Sequence, residues 1–502
     1  MPPQHTPPAP GTRRGTASRR RWWVLGVLST AQLMVVLDGT IMNIALPSAQ
    51  SDLGFSDGQR QWVVTSYALA FGSLLLLGGR IADLFGRRAT FLTGLAGFAG
   101  TSALAGVAGG FEVLVAARAG QGLSSALLAP AALSLVGLTF TDPRERATAF
   151  GVWGAAAGAG GAIGMPLGGA LTEYLGWRWA MYMNTLVAAL ACVAGALLLA
   201  PAPRARASRL DVPGTVLVGS GLFCLVHGFA RAEAHAWTSA ATWAFLAAAG
   251  AQLVAFVWWQ TRARHPLLPL HIVLDRDRGA SLIALLQTSS AVFGIFLFCT
   301  YYLQQSLGYG PAATGLAYLP MVAALIGTSP LATNVLLPRF GPRPVIAAGA
   351  ALAACGLVLL AALGLDSAYP TAVLPALVLA GAGLGTIITA TTSLATLGVG
   401  AADAGVASAA VNAMQYVGGS VGVALLTTVS TAATDSYLAV HDPSGALTRE
   451  HAALSGYHSA FLSLAGAFAV CLLVSVPLYR RRQAGRRARP DSGSVVKCGD
   501  RP

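Results

Sequence analysis

The chain has 502 residues, of which 55% are hydrophobic and only 10% are charged, and its formal net charge is +13. Soluble domains carry about 25% charged residues, so this composition excludes an ordinary soluble protein and predicts a chain that contacts membrane lipid. The positive charge does not indicate nucleic-acid binding, because the arginines are spread over short loops and two tails instead of forming one basic face.

The apolar residues fall in runs long enough for helices to cross a bilayer, which takes about 20 residues each. Residues 1–21 precede these runs as a polar tail that is predicted to be disordered and cytoplasmic. Residues 22–200 are predicted to form a bundle of six transmembrane helices: Trp22–Leu46, Trp62–Ala82, Ala89–Ala108, Phe111–Val136, Ala147–Leu171 and Trp179–Ala200.

Residues 201–279 form a linker that is predicted to contain two further transmembrane helices, Val212–Ala230 and Trp237–Gln260. Residues 280–479 are predicted to form a second six-helix bundle: Ala280–Leu303, Ala313–Leu336, Val345–Leu365, Thr371–Leu397, Ala404–Val429 and Ser459–Tyr479. Residues 480–502 are a second polar tail. The predicted fold is an all-α polytopic membrane protein with fourteen transmembrane helices, arranged as two bundles and an inserted central pair.

The positions of the basic residues predict the orientation of these helices. Lysine and arginine concentrate in cytoplasmic loops. If the amino terminus is cytoplasmic, most of the 32 basic residues of the chain fall on the cytoplasmic side. We therefore expect a multi-pass plasma-membrane protein with both termini in the cytoplasm.

Two short segments recur at nearly the same offset, which indicates an internal duplication of the kind found in transporters. Leu53-Gly54-Phe55 precedes the second predicted span, and Leu307-Gly308-Tyr309 precedes the tenth. Phe85-Gly86-Arg87-Arg88 follows the second span, and Phe340-Gly341-Pro342-Arg343 follows the tenth. In transporters built this way, the substrate site lies near the membrane midplane between the repeats.

Charged residues inside a span are costly and usually mark ion or substrate pathways. Asp38 is the deepest acid of the chain, and at about 1.5 Å of rise per residue it lies about 12 Å from the outer end of its span. Arg118 lies at about the same depth, so the two side chains are predicted to meet. Burial raises the pKa of a carboxylate and a neighbouring arginine lowers it, which suits a proton-coupling pair. A purely structural ion pair is the alternative.

Four motifs resemble signatures of the major facilitator superfamily. Residues 79–88, Gly-Arg-Ile-Ala-Asp-Leu-Phe-Gly-Arg-Arg, are similar to its loop signature between the second and third spans. Residues 37–47, Leu-Asp-Gly-Thr-Ile-Met-Asn-Ile-Ala-Leu-Pro, resemble the first helix of its fourteen-span drug:proton antiporters, the EmrB/QacA-like multidrug exporters. Residues 118–122 resemble its Arg-x-x-Gln-Gly element, and residues 160–169 resemble its antiporter motif with the proline displaced by one position.

The resemblance implies a proton-driven exporter of lipophilic drugs or antibiotics that works by alternating access, with the proton as coupling ion and no other cofactor or metal. The buried charges themselves make Asp38 and Arg118 the expected proton-coupling residues. The resemblance also implies a latch between the bundles formed by residues of the loop signature: Gly79, Asp83, Gly86, Arg87 and Arg88. The close-packing residues of the antiporter motif are Gly160, Gly164, Pro166, Gly168 and Gly169, for which static helix packing is an equally good interpretation.

A cavity between the bundles is predicted to hold a small lipophilic substrate. The candidate lining residues are Asn43, Gln121, Trp153, Gln287, Phe293, Gln415 and Tyr416. Aromatic residues in spans more often pack against lipid or the protein core, which is the simpler interpretation of several of them. Besides this substrate we expect contact with membrane lipid and none with nucleic acid, and we expect a monomer.

Other functional classes fit the sequence less well. An ATP-driven pump needs a phosphate-binding loop that ends in Gly-Lys-(Ser/Thr), but the only lysine, Lys497, lies in the tail. No set of ionisable residues at one depth indicates an enzyme. A major facilitator importer or uniporter of another small solute shares the predicted fold and stays the main alternative.

Overall fold

The computed structural model of the chain describes residues 13–140, 142–200, 211–235, 239–263, 266–267, 273–396, 399, 404–441 and 445–479. Most of both predicted tails lies outside these ranges. Every regular element within them is helical. Eleven helices in this part of the chain are long and apolar enough to span a membrane, so the predicted all-helical, multi-pass fold is confirmed.

The first six helices pack mainly on one another and form what we call the first bundle. They are α1 (Arg13–Leu53), α2 (Asp57–Phe85), α3 (Arg87–Gly106), α4 (Phe111–Thr139), α5 (Pro143–Tyr174) and α6 (Trp177–Leu198). Several of them are longer than the apolar runs, because polar turns extend the helices beyond the lipid-facing residues. We call the face at which α1 begins the amino-terminal face, and the other the opposite face.

The central pair consists of α7 (Val212–His235) and α8 (Ala240–Gln260), which pack side by side. Asp211 holds them together, because its carboxylate accepts hydrogen bonds from Trp259 Nε1 at 2.7 Å and Gln260 Nε2 at 2.9 Å. It also caps α7 by accepting from the Gly214 N–H at 3.0 Å. Burial raises the pKa of Asp211, but hydrogen bonds, including these three, outweigh that effect and lower it below its ordinary value.

The remaining helices form the second bundle. They are α9 (Arg276–Tyr301) with a π turn at Tyr302–Ser306, α10 (Pro311–Ala317), α11 (Leu319–Leu331) with a π turn at Ala332–Leu336, α12 (Leu337–Phe340), α13 (Pro342–Leu360), α14 (Leu374–Thr396) preceded by a π turn at Tyr369–Val373, α15 (Ala404–Leu438) and α16 (Ala446–Leu478). Helix α7 of the central pair contacts both α2 and α15 and so touches both bundles.

The two repeated segments adopt matching backbone conformations. Gly54 and Gly308 both have φ of 67°, and Gly86 and Gly341 have φ of 97° and 80°. Positive φ values are accessible to glycine at low cost because it has no Cβ atom. The same sharp turns therefore end equivalent helices in both bundles, which supports the duplication inferred from the sequence.

The bundles meet at the opposite face. Helix α5 comes so close to α10 that a Cβ atom added at Gly169 would lie 2.7 Å from the Cα of Ala312. The Glu173 carboxylate accepts a hydrogen bond from the Ala312 N–H at 2.9 Å, and Gln304 Nε2 donates to the Ile44 carbonyl at 3.3 Å. These contacts close the opposite face between the bundles.

Candidate functional site

A buried ion pair lies inside the first bundle. Arg118 of α4 points at Asp38 of α1, and its Nη1 lies 2.5 Å from Asp38 Oδ2. The two residues are only 1% and 0% exposed. The contact predicted from their equal depth is therefore present. Two charges removed from water in this way are tolerated only when close geometry and further hydrogen bonds compensate for the lost hydration.

Amide side chains supply those further hydrogen bonds to Asp38. Its second oxygen, Oδ1, accepts from Asn184 Nδ2 of α6 at 2.7 Å and from Gln121 Nε2 of α4 at 3.2 Å. Gln121 also accepts from Arg118 Nη1 at 2.9 Å and donates to Ser102 Oγ of α3 at 2.8 Å. We call Asp38, Arg118, Gln121, Asn184 and Ser102 the polar network; it joins α1, α3, α4 and α6.

Helix α2 fixes the other side of the Arg118 guanidinium. The Arg118 Nε donates to the Val63 carbonyl at 3.0 Å. The guanidinium carbon lies 4.5 Å from the centre of the Tyr67 ring, within the range of a cation–π interaction. The Tyr67 hydroxyl in turn donates to Ser125 Oγ at 3.2 Å. The arginine is thus oriented by a carbonyl, a ring and a carboxylate at once.

A row of aromatic rings leads from Arg118 to the second bundle. The ring of Tyr67 stacks on Phe71 with centroids 6.1 Å apart, and Phe71 meets Tyr416 of α15 edge-on at 4.0 Å. Helices α2 and α15 belong to different bundles. The row of rings therefore connects the ion pair to the interface between the bundles, which must change if the bundles move. Tyr416 was predicted to line the cavity, and the residue is partly exposed.

Three glycines of the antiporter motif pack against the helix that carries Asp38. Added Cβ atoms would lie 2.9 Å from Val36 at Gly160, 3.1 Å from the Cβ of Thr40 at Gly164, and 2.9 Å from the Cα of Ile41 at Gly168. Such four-residue spacing lets two helices approach closely.

The same helix also contacts the second bundle. Gly169, the fourth glycine of the motif, faces α10, and the backbone of Pro166 approaches Gly315 of α10. Helix α5 therefore contacts both α1 and the second bundle.

The loop signature forms the sharp turn between α2 and α3. Gly86, with its positive φ, ends α2 and begins α3, while Gly79 lies about two helical turns before it on α2. Arg88 Nη2 donates to the Ala196 carbonyl of α6 at 2.7 Å, within the first bundle. Arg87 lies in the first turn of α3, and the side chain of Asp83 lies outside the part that the structure describes.

The other predicted cavity residues lie in several environments. Gln121 is fully buried in the polar network, and Asn43 is 3% exposed and donates from Nδ2 to the Gly39 carbonyl of its own helix at 2.9 Å. The Trp153 Nε1 and Gln287 Nε2 groups are buried and have no hydrogen-bond partner among the described residues. Phe293 packs beside Gly419, and Gln415 is partly exposed on α15.

The sequence reasoning missed Asn184 and Ser102 as members of the polar network. Their signal was weak, because a single amide or hydroxyl in an apolar helix is common and gives no partner by itself. The amide of Asn184 within a mostly apolar helix was the available clue. The structure brings together Asp38, Arg118 and Gln121 from the predicted set, and it leaves Trp153, Gln287 and Gln415 without a described polar contact to them.

Two helical bundles that meet along an interface between repeats, one of them with a buried charge pair in its interior, are typical of a polytopic membrane transporter. The sequence pattern of the Major Facilitator Superfamily matches residues 28–423 of this chain. The chain belongs to that family. This membership confirms the prediction that the protein is a transporter and not an enzyme.

Several relatives are named for antibiotic resistance or export. The chain is 46% identical to the Puromycin resistance protein pur8 of Streptomyces alboniger over 485 residues, which cover 96% of this chain and 95% of the relative. It is 38% identical to the Cephamycin export protein CmcT of Amycolatopsis lactamdurans, with 81% of this chain and 84% of the relative covered.

Solved structures with low sequence identity share the fold. A bacterial homologue of the human lysosomal transporter Spinster is 18% identical, with a TM-score of 0.63 and coverage of 92% of this chain and 96% of that chain. An auto-inhibited peptide transporter of the POT family is 16% identical, with a TM-score of 0.65 and coverage of 94% and 99%. At this identity the likeness extends to the fold alone.

Proposed function

We propose that the protein exports lipophilic drugs or antibiotics in exchange for protons. The export part of this proposal is supported by the relatives named for antibiotic resistance and export. The proton part rests on one observation: the fully buried pair of Asp38 and Arg118. An ionisable carboxylate at membrane depth is most readily explained by a role in ion coupling.

The proposal includes the topology. The protein is a fourteen-span member of the family, with the central pair inserted between the bundles of residues 22–200 and 280–479, and it works as a monomer. The amino-terminal face is cytoplasmic, as the distribution of basic residues favours, and the membrane is the plasma membrane. The closed opposite face is then the external side.

In the proposed cycle, Asp38 receives a proton when the bundles are open to the outside. Protonation removes the charge that faces Arg118, and the attraction between two charges in a low-dielectric interior is then lost. Arg118 is held through Tyr67 and Phe71 to Tyr416 of the second bundle. A change at the ion pair therefore reaches the bundle interface. After the bundles rock, the proton leaves Asp38 towards the cytoplasm.

The loop signature and the glycines of α5 contribute to this movement. Asp83, Arg87 and Arg88 hold the bundles together on the cytoplasmic side when the external side is open. In the described conformation, with the external side closed, Arg88 donates to a carbonyl of its own bundle, as expected of a released latch. The glycine-lined contact of α5 with α1 permits small sliding movements between the two helices.

The substrate is a small lipophilic molecule bound between the bundles near Trp153, Gln287 and Tyr416. Puromycin is the first compound to test, because the puromycin resistance protein is similar over nearly the whole chain. A single deep carboxylate tolerates a cationic substrate without requiring one. The buried N–H groups of Trp153 and Gln287 are available to donate hydrogen bonds to a substrate oxygen when the cavity opens.

Drug accumulation in efflux-deficient bacterial cells tests this proposal. Cells that make the protein are expected to accumulate less ethidium than empty cells and to grow at higher puromycin concentrations. A protonophore and the Asp38→Asn variant should each abolish the difference. Full protection by a well-expressed Asp38→Asn variant contradicts the proton role, and increased accumulation of ethidium or puromycin would instead indicate import, the main alternative.

A further inference from the structure

One hydrogen-bonding atom of Asn184 has no partner among the residues that the structure describes. Its Nδ2 donates to Asp38 Oδ1 at 2.7 Å, and the residue is completely buried. Its carbonyl oxygen, Oδ1, is also buried and has no partner among the described residues. Buried acceptors are rarely left without a donor, because they lose their hydrogen bonds to water. The unpartnered oxygen belongs to the same amide group whose Nδ2 donates to Asp38, the proposed proton-binding carboxylate.

The neighbours of Asp38 suit only its ionised form. Arg118 Nη1, Gln121 Nε2 and Asn184 Nδ2 all donate to it. An ionised carboxylate only accepts hydrogen bonds, so the arrangement is complete in that form. A protonated carboxyl group carries an O–H donor, which needs an acceptor that this arrangement does not present.

The polar network contains one idle acceptor for that O–H group. Gln121 Oε1 already accepts from Arg118, and Gln121 Nε2 is engaged by Ser102 as well as by Asp38. Asn184 Oδ1 accepts from no donor in the described part of the chain. A half-turn of the Asn184 amide about its last side-chain bond exchanges Nδ2 with Oδ1. It then offers Asp38 an acceptor without any movement of the helices.

We infer that Asn184 is a positioning residue for proton coupling, which turns its amide to donate to ionised Asp38 and to accept from protonated Asp38. The inference rests on the proposed proton-coupled function. It also assigns the site of protonation to Oδ1, the oxygen that faces Asn184. Protonation there leaves Oδ2 as a neutral carbonyl acceptor for Arg118 and so weakens the ion pair without competing for the same oxygen.

Infrared difference spectra of the purified protein, recorded between high and low pH, test this inference. Protonation of Asp38 produces a carboxylic-acid C=O band that is absent from Asp38→Asn. In the wild type we expect a change in an asparagine amide C=O band at the same pH midpoint. That change should be lost in Asn184→Leu, which has similar size but no hydrogen-bonding group, and should persist in Asn43→Leu, which replaces another buried amide.

Labelling with asparagine that carries ¹³C in the side chain identifies asparagine amide bands in the unmodified protein. Asn184→Asp, which keeps the size of the side chain, and Asn43→Leu then assign the changing band among the four asparagines of the chain without relying on Asn184→Leu alone. An amide band that stays constant while the Asp38 carboxyl band appears overturns the inference about Asn184 and leaves proton coupling intact. Failure to detect any Asp38-dependent carboxyl band over the working pH range overturns the proposed proton role as well.

Discussion

The two bundles share a backbone plan but bury different chemistry. The first encloses the charged pair of Asp38 and Arg118. The second encloses neutral hydroxyl groups: Tyr318 OH lies 3.0 Å from Thr300 Oγ1 and donates to the Phe296 carbonyl at 3.2 Å. A neutral hydroxyl contact responds little to pH, whereas an ion pair changes its energy when the acid is protonated. Duplication has thus preserved the helices, while the proposed proton-coupling pair lies in one half of the molecule only.

The largest expected effect comes from a substitution in the first bundle, which is compared with a substitution in the second bundle. Asp38→Asn keeps the shape of the side chain and its capacity to accept a hydrogen bond but cannot take up a proton. We expect drug efflux to fall to the level of cells without the protein, measured as ethidium accumulation at equal expression. Thr300→Val, a change of similar size in the second bundle, is expected to keep most of the efflux. Equal losses in the two variants would remove the proposed difference between the bundles.

The next effect is on stability. Removing one partner of a buried ion pair leaves an uncompensated charge and is expected to reduce the free energy of unfolding by about 3–5 kcal/mol. Arg118→Ala should therefore lower the Tm of the purified protein strongly. Adding Asp38→Asn to Arg118→Ala should recover part of that loss, because no unpaired charge then remains. Additive losses in the double variant would mean that the two residues do not stabilise each other.

A smaller change tests the contact between the bundles. Gly169→Ala introduces a Cβ atom 2.7 Å from the Cα of Ala312 in the second bundle, whereas Gly161→Ala, on the same helix, meets nothing within 4 Å. The first variant should hinder closure of the opposite face and slow efflux several-fold, with the second near wild type. The accessibility of a cysteine placed near Glu173 to a thiol reagent measures closure independently, and unchanged labelling in Gly169→Ala would contradict this account.

The smallest effect is expected in the hydroxyl cluster of the second bundle. Tyr318→Phe removes one buried hydroxyl from a cluster that is fully buried. Loss of such a hydrogen bond costs about 1 kcal/mol, so a modest fall in Tm is expected. The pH dependence of efflux should stay as in the wild type. A shift in pH dependence as large as any found for variants of the polar network would show that the second bundle also takes part in proton coupling.

Much of the helical arrangement was predictable from the sequence, because helices that cross lipid must consist mainly of apolar residues. Apolar runs predicted the helices, and the depth of Asp38 and Arg118 predicted their contact, since charges at the same depth in lipid have strong reason to pair. The π turns of the second bundle were not predictable, because they depend on local backbone adjustments at residues such as Tyr302 and Ala332.

The amide part of the polar network was also beyond sequence reasoning. Whether Asn184 faces Asp38 or lipid depends on how α6 is rotated against α1, and a single polar residue in an apolar helix does not fix that rotation. Gln121 shows a related limit. Its motif was recognised in the sequence, but the residue was predicted to line the cavity between the bundles. Packing of α3 against α4 instead joins it to Ser102 inside the first bundle.

The most direct test of the proposed antiport is proton movement driven by drug in sealed proteoliposomes. The protein is reconstituted with a pH-sensitive dye inside the vesicles, and puromycin or ethidium is added outside without any imposed proton gradient. Antiport predicts an alkaline shift of the lumen on drug addition, as protons leave in exchange for drug, and no shift with Asp38→Asn. Drug uptake without any change of lumenal pH in the wild-type vesicles would contradict proton-coupled exchange.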